Sequence, residues 1–233
     1  AIKLCPPSPR LFIRAGRCAL RCEKFHTAER YFSIAHHLGE VGPSMFLRMA
    51  TAEIGLARWP RAYNLLTSAI SKSPENTEIS GRLAYVELQL DRSEEALARL
   101  SAPGTAIENW PEAWLWRVEA QRRCGLHDLS FEEVKNLCDR YPSYGPGWLI
   151  MGDIALNRQD FAKAMACFER LLSNTSTHMP SGTTNEEIQR RLELCRSSLN
   201  RVGAAPGLLG QGEPRAIPVI FQPRHGLSFQ PNE

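Results

Sequence analysis

The chain is 233 residues long, carries a formal charge of +3 with a pI near 8.5, and is 43% hydrophobic. So mild a charge lacks the strongly basic signature of a nucleic-acid binder, and no apolar run approaches the roughly 18 residues that a membrane span requires. The seven cysteines form no CxxC pair and no zinc-ligand spacing, which argues against a disulfide framework or a structural metal and for a reducing, cytoplasmic setting.

Residues 3–9 lack the apolar core of a signal peptide. Ser8 followed by Pro9 predicts a helix start, with a capping hydroxyl ahead of a proline at the first helical position. From there one period organises the sequence. Ala28, Ala62, Ala96, Ser130 and Ala164 fall 34 residues apart, and four residues after each stands Phe32, Leu66, Leu100, Val134 or Phe168. Counting back gives five units that start at Pro9, Pro43, Thr77, Pro111 and Gly145, with no insertion between them. An amphipathic helix enforces a period of about 3.6 residues and nothing longer, so a fixed period of 34 points to stacked helix pairs over residues 9–178.

Within the frame, the eighth position is small where two helices cross: Gly16, Ala50, Ala84 and Gly152, with Val118 straining the rule. The fourth position is large in Phe12, Phe46, Trp114 and Trp148, and is Ser80 in the third unit. The seventeenth, at the turn, is aromatic in Phe25, Trp59 and Phe161, with Ser93 and His127 in the other two. In the third unit Ala102, Pro103, Gly104 and Thr105 break the second helix early and leave a loop as far as Trp110, either a hinge, a binding loop or tolerated drift. Glu94 and Glu95, and Glu132 and Glu133, are expected at helix starts, where they complement the helix dipole.

His36 and His37 read as helix-end residues, and the cysteines as small fillers of helix packing, with Cys18 and Cys22 on one helix face. Residues 183–202 predict a capping helix with Ile188, Leu192, Leu194, Cys195 and Leu199 on its apolar side. Beyond it, residues 203–233 read as a Gly/Pro-rich tail or linker, in which residues 217–221 form a short β-prone run able to fold back as a tethered competitor.

These positions resemble the tetratricopeptide repeat, whose signature alternates large-apolar, small and aromatic residues over a 34-residue unit. Trp148, Met151, Gly152, Phe161, Ala164 and Phe168 carry the likeness best, and Pro74 and Pro142 close two units where the family places a proline. The resemblance implies an all-α, right-handed superhelical array of antiparallel helix pairs, serving as a non-catalytic scaffold for a protein or peptide partner. No metal or cofactor is expected, nor a nucleic-acid partner, nor membrane insertion.

It also implies that the second, fifth, ninth, twelfth and thirteenth positions line a concave groove. Those taken as partner-binding are Arg17, Arg21, Leu47, Thr51, Ile54, Tyr85, Leu88, Leu115, Glu119, Arg122 and Asp153. The groove is thus basic at its N-terminal end and apolar in the middle. Ile13 and Arg17 occupy the positions where chaperone-binding relatives hold a terminal carboxylate with Lys and Asn, so that clamp is absent.

No phosphate loop, HExxH or GxSxG sequence appears within the repeats. In the tail, Pro223, Arg224, Gly226 and Ser228 are similar to the loop that opens bacterial sulfotransferase domains. The alternative reading is therefore the N-terminal repeat segment of a larger enzyme of that kind.

Overall fold

A computed structural model describes residues 8–103, 107–173 and 183–204. They contain α-helices, one 3-10 turn and no strand. Residues 217–221, the loop at 223–228 and Cys5 lie outside the described residues. The chain parts into two compact units between Gly125 and Leu126.

The first unit is a run of helix hairpins. Helix α1 (Pro9–Arg21) pairs with α2 (Phe25–His37), α3 (Pro43–Gly55) with α4 (Trp59–Lys72), and α5 (Thr77–Gln89) with α6 (Ser93–Leu100). A 3-10 turn, Ile107–Asn109, then leads to α7 (Pro111–Arg123). In the second unit α8 (His127–Arg140) packs on α9 (Gly145–Asn157), α9 on α10 (Phe161–Ser173), and α10 on α11 (Asn185–Ala204).

The hairpin turns share one backbone device. The fifteenth residue of every repeat is left-handed: Glu23 at φ 55°, Ala57 at 54°, Asp91 at 58°, Gly125 at 77° and Gln159 at 62°. After four of them the next N–H reaches the carbonyl five residues back, from Lys24 to Ala19, Arg58 to Glu53, Arg92 to Glu87 and Asp160 to Ala155, each at 2.9 Å. This six-to-one bond closes the first helix and turns the chain tightly into the second.

Where the two helices of a pair cross, volumes complement one another. A Cβ added at Gly16 would lie 2.5 Å from the Phe32 ring, and one at Gly152 would lie 2.5 Å from Phe168. The same two positions read Ala50 and Leu66, and Ala84 and Leu100, so the step up from glycine in the first residue is met by a step down from phenylalanine in the second.

Several sequence expectations are corrected. Ser8 stands at the N-cap of α1 but its hydroxyl makes no capping bond, since the Leu11 N–H goes to the Ser8 carbonyl at 3.0 Å. Side-chain caps stand instead at Asn76, whose Oδ1 accepts from the Ile79 N–H at 3.0 Å at the start of α5, at Asp160, whose Oδ1 accepts from the Lys163 N–H at 3.1 Å at the start of α10, and at Thr184, whose Oγ1 accepts from the Glu187 N–H at 3.2 Å at the start of α11. Glu132 and Glu133 sit in the middle of α8, which starts at His127 directly after the Gly125 turn. On α11, Ile188, Leu192 and Cys195 form the buried stripe at i, i+4, i+7 spacing, while Leu194 and Leu199 are exposed; Leu194 falls about a third of a turn off that stripe. Cys138, Cys167 and Cys195 are the buried fillers, whereas Cys18 and Cys22 are exposed.

Candidate functional site

The first helices of the repeats carry the expected partner-binding positions, and the structure sorts these into open and closed sets. Arg17 and Arg21 on α1 are exposed, and Leu47 on α3 and Arg122 on α7 are half-buried. Thr51, Ile54, Tyr85, Leu88, Leu115, Glu119 and Asp153 are buried. Their surroundings explain why.

Thr51 turns its hydroxyl back to the Leu47 carbonyl, donating at 2.8 Å. Tyr85 stands inside an aromatic cluster, with ring centroids 6.0 Å from Trp59 and 5.0 Å from Trp116, and Trp116 in turn meets Trp110 edge-on at 5.1 Å. Burial pushes the Tyr85 phenol well above the ordinary tyrosine value. Trp110 comes from the loop after the short α6 and presses on Gly81, where a Cβ would lie 2.5 Å from its ring. The break in the third repeat therefore delivers an indole onto α5. Leu88 and Leu115 are 1% exposed and belong to the core.

The acidic positions are satisfied from within their own units. Glu119 accepts from Arg122 at 2.8 Å through both its oxygens and from the Arg123 Nε at 2.7 Å, and Arg123 also donates to the Leu88 carbonyl at 2.7 Å. In the second unit, both oxygens of Asp153 accept from the Arg191 Nη1 of α11, at 2.6 and 2.7 Å. These are charge-assisted pairs that fix helix to helix.

A line of arginines at the sixth position of three successive repeats, Arg14, Arg48 and Arg82, adds groups that the groove positions alone did not capture. The 34-residue frame carries the signal for them. Arg82 is buried and pairs with Glu78, Nε to Oε1, at 3.2 Å, and its guanidinium lies 6.0 Å from the Trp110 ring centroid. Burial lowers the Arg82 pKa, against the raising influence of Glu78 and Glu112. Desolvation lowers that of Arg48 as well, followed by the neighbouring charge of Arg17, while Glu40 and Glu78 oppose. The first unit therefore carries exposed arginines on α1, half-buried Arg48 on α3, exposed Glu78 and buried Arg82 on α5, and half-buried Glu112 on α7.

Among the described residues no group of three or more His, Cys, Asp or Glu side chains is placed to hold a metal ion, and no helix is long and apolar enough to cross a membrane.

The tetratricopeptide repeat family model matches residues 54–117. No curated protein sequence matches the chain. Among solved structures, MamA of Desulfovibrio magneticus RS-1 superposes with a TM-score of 0.62 at 19% identity, over 71% of this chain and 93% of that one. TTC0263 of Thermus thermophilus, described as a thermophilic TPR protein, gives 0.63 at 14% identity, over 83% of this chain and all of that one (100%). YrrB, described as a TPR protein with an unusual peptide-binding site, gives 0.57 at 14% identity, over 81% and 90% of the two chains. At these identities the likeness is one of fold. The sulfotransferase-like reading of the tail has no support among these relatives.

Proposed function

Because the chain is a tetratricopeptide repeat protein, we propose that it acts as a non-catalytic scaffold and holds a segment of a partner protein across α1, α3 and α5. The observation that carries this reading is the open set on those helices: exposed Arg10 and Arg17, half-buried Ile13 and Leu47, and half-buried Arg48 beside Arg17. It offers apolar anchorage next to positive charge that makes no ion pair among the described residues. An anchor seated on Leu47 contributes roughly 1.5 to 3 kcal/mol if fully buried, while the arginines steer and orient a segment bearing carboxylates. The buried Tyr85, Leu88 and Leu115 support the floor from beneath instead of touching the partner. YrrB, with its peptide-binding site, is a precedent for segment binding on this fold.

The test places a photo-crosslinking amino acid at position 47 and, as control, at position 71, an exposed site on α4. A protein captured from position 47, not from 71, and lost on Arg17→Glu substitution supports the reading. Equal capture from both positions overturns it.

A further inference from the structure

The third and tenth positions of each repeat are where one hairpin meets the hairpin before it. Met45 and Ala52 join the core formed by Ala28, Phe32 and Ala35 of α2, and in the second unit Gly147 stands with its Cβ direction 3.3 Å from the Cys138 sulfur and 3.5 Å from Leu137 of α8. Ile79, Val86, Ala113 and Ala120, at the same positions, are fully buried. In the first repeat these positions are Leu11 and Cys18. Leu11 is 65% exposed, and Cys18 and, one turn on, Cys22 are exposed too. The outer face of α1 thus carries the apolar seam of an inter-hairpin contact on which no helix of the described residues is seated.

That seam has a charged border. Arg10, Arg14, Arg17 and Arg21 recur at 4-, 3- and 4-residue steps, all exposed, and α1 contains no acidic residue. None of the four makes an ion pair among the described residues. At roughly 100° per residue, Arg14 and Arg21 lie nearest the Leu11–Cys18 line, and Arg10 and Arg17 lie farther round toward the groove. The equivalent Arg82 of the third repeat has its carboxylate, Glu78, at 3.2 Å.

We propose that the outer face of α1 is a second docking surface, and that its occupant is an amphipathic α-helix of a partner protein with a small apolar seam and carboxylates along one flank. The seam repeats the geometry by which every later hairpin receives a helix, which selects a helix over an extended strand. The stripe of four unpaired arginines, two of them seven residues apart beside the seam, selects acidic side chains at the matching two-turn interval. The helix covers Leu11, Cys18 and Cys22 and pairs with Arg14 and Arg21.

The probe is a synthetic fluorescent helix with an Ala/Leu seam and glutamates seven apart, read by anisotropy against the full chain. Parallel arms use the same helix with lysines for glutamates, phosphatidylserine vesicles, and duplex DNA. The acidic helix should bind, and Leu11→Asp and the Arg14→Glu, Arg21→Glu pair should each weaken it about tenfold or more, a loss of about 1.4 kcal/mol or greater, while Ser71→Asp on α4 leaves it unchanged. With the unsubstituted chain, the bound helix should slow alkylation of Cys18 and Cys22, a readout that needs no variant to fold. No binding, binding indifferent to Leu11→Asp, no protection of the two thiols, or binding of vesicles or DNA in place of the helix each overturns the proposal.

Discussion

The Phe32 ring closes over the backbone of Gly16 so tightly that a methyl group there would stand 2.5 Å from the ring's Cε1. Gly16→Ala is therefore expected to lower stability by about 1 to 3 kcal/mol, the usual range for overpacking, despite alanine's better helix propensity. Phe32→Leu in the same chain should restore most of the loss, because Ala and Leu are the natural pair at these positions in the second and third repeats. A double-mutant cycle by urea unfolding checks this; additive losses would mean that the two residues do not share the space.

The left-handed turn residues make a prediction of the opposite sign. Ala57 holds φ 54° with a Cβ that disfavours that region, whereas Gly125 occupies the equivalent turn at φ 77° without one. Ala57→Gly should raise stability by roughly 0.5 to 1 kcal/mol, and Gly125→Ala should lower it. Thermal melts of the two variants give the comparison.

Glu87 is fully buried, and both its oxygens accept from Arg99, at 2.7 and 3.0 Å. Removing the guanidinium with Arg99→Ala leaves a carboxylate stranded in the core, and a loss of roughly 3 to 5 kcal/mol is expected. The pair replaced together by Met and Leu should cost far less than Arg99→Ala alone. Chemical denaturation of the three proteins separates a specific pair from a general packing defect.

Burial pushes the Cys138 thiol from the ordinary 9.0 up to about 12, with the nearby Cys167 adding to it, and pushes Cys167 up to about 11. Since the unfolded chain ionises these thiols first, their contribution to stability is complete below about pH 9 and is lost as pH rises through the folded values, at up to about 1.4 kcal/mol per pH unit for each thiol. Urea melts at about pH 8 and about pH 10.5 should show the fall, and Cys138→Ala with Cys167→Ala should flatten it. In the native protein at neutral pH, Cys18 and Cys22 should alkylate well before Cys138, Cys167 and Cys195, as mass spectrometry would show.

Much of the architecture is legible in the sequence because stacking imposes the same neighbour at the same position every 34 residues. A side chain such as Ala28 must be small wherever its helix meets its partner, and that constraint writes itself into the chain. Even the arginine line of Arg14, Arg48 and Arg82 lies in the same frame, though it emerges only when charged positions are counted along with apolar ones.

What period alone leaves open is which of those positions remain accessible. Tyr85 and Leu115 hold groove positions in the sequence, yet they are buried, and Trp110, which presses on Gly81 beside this cluster, arrives from the loop that breaks the third repeat. Glu119 and Asp153 likewise hold partner-binding positions in the sequence, yet Arg122, Arg123 and Arg191 fold onto them. Such outcomes depend on side chains distant in sequence meeting at one place, and only the tertiary structure decides them. The same is true at α1: the sequence by itself determines that Leu11 and Cys18 stand at inter-hairpin positions, and only the tertiary structure decides that both are exposed, beside arginines that make no ion pair among the described residues.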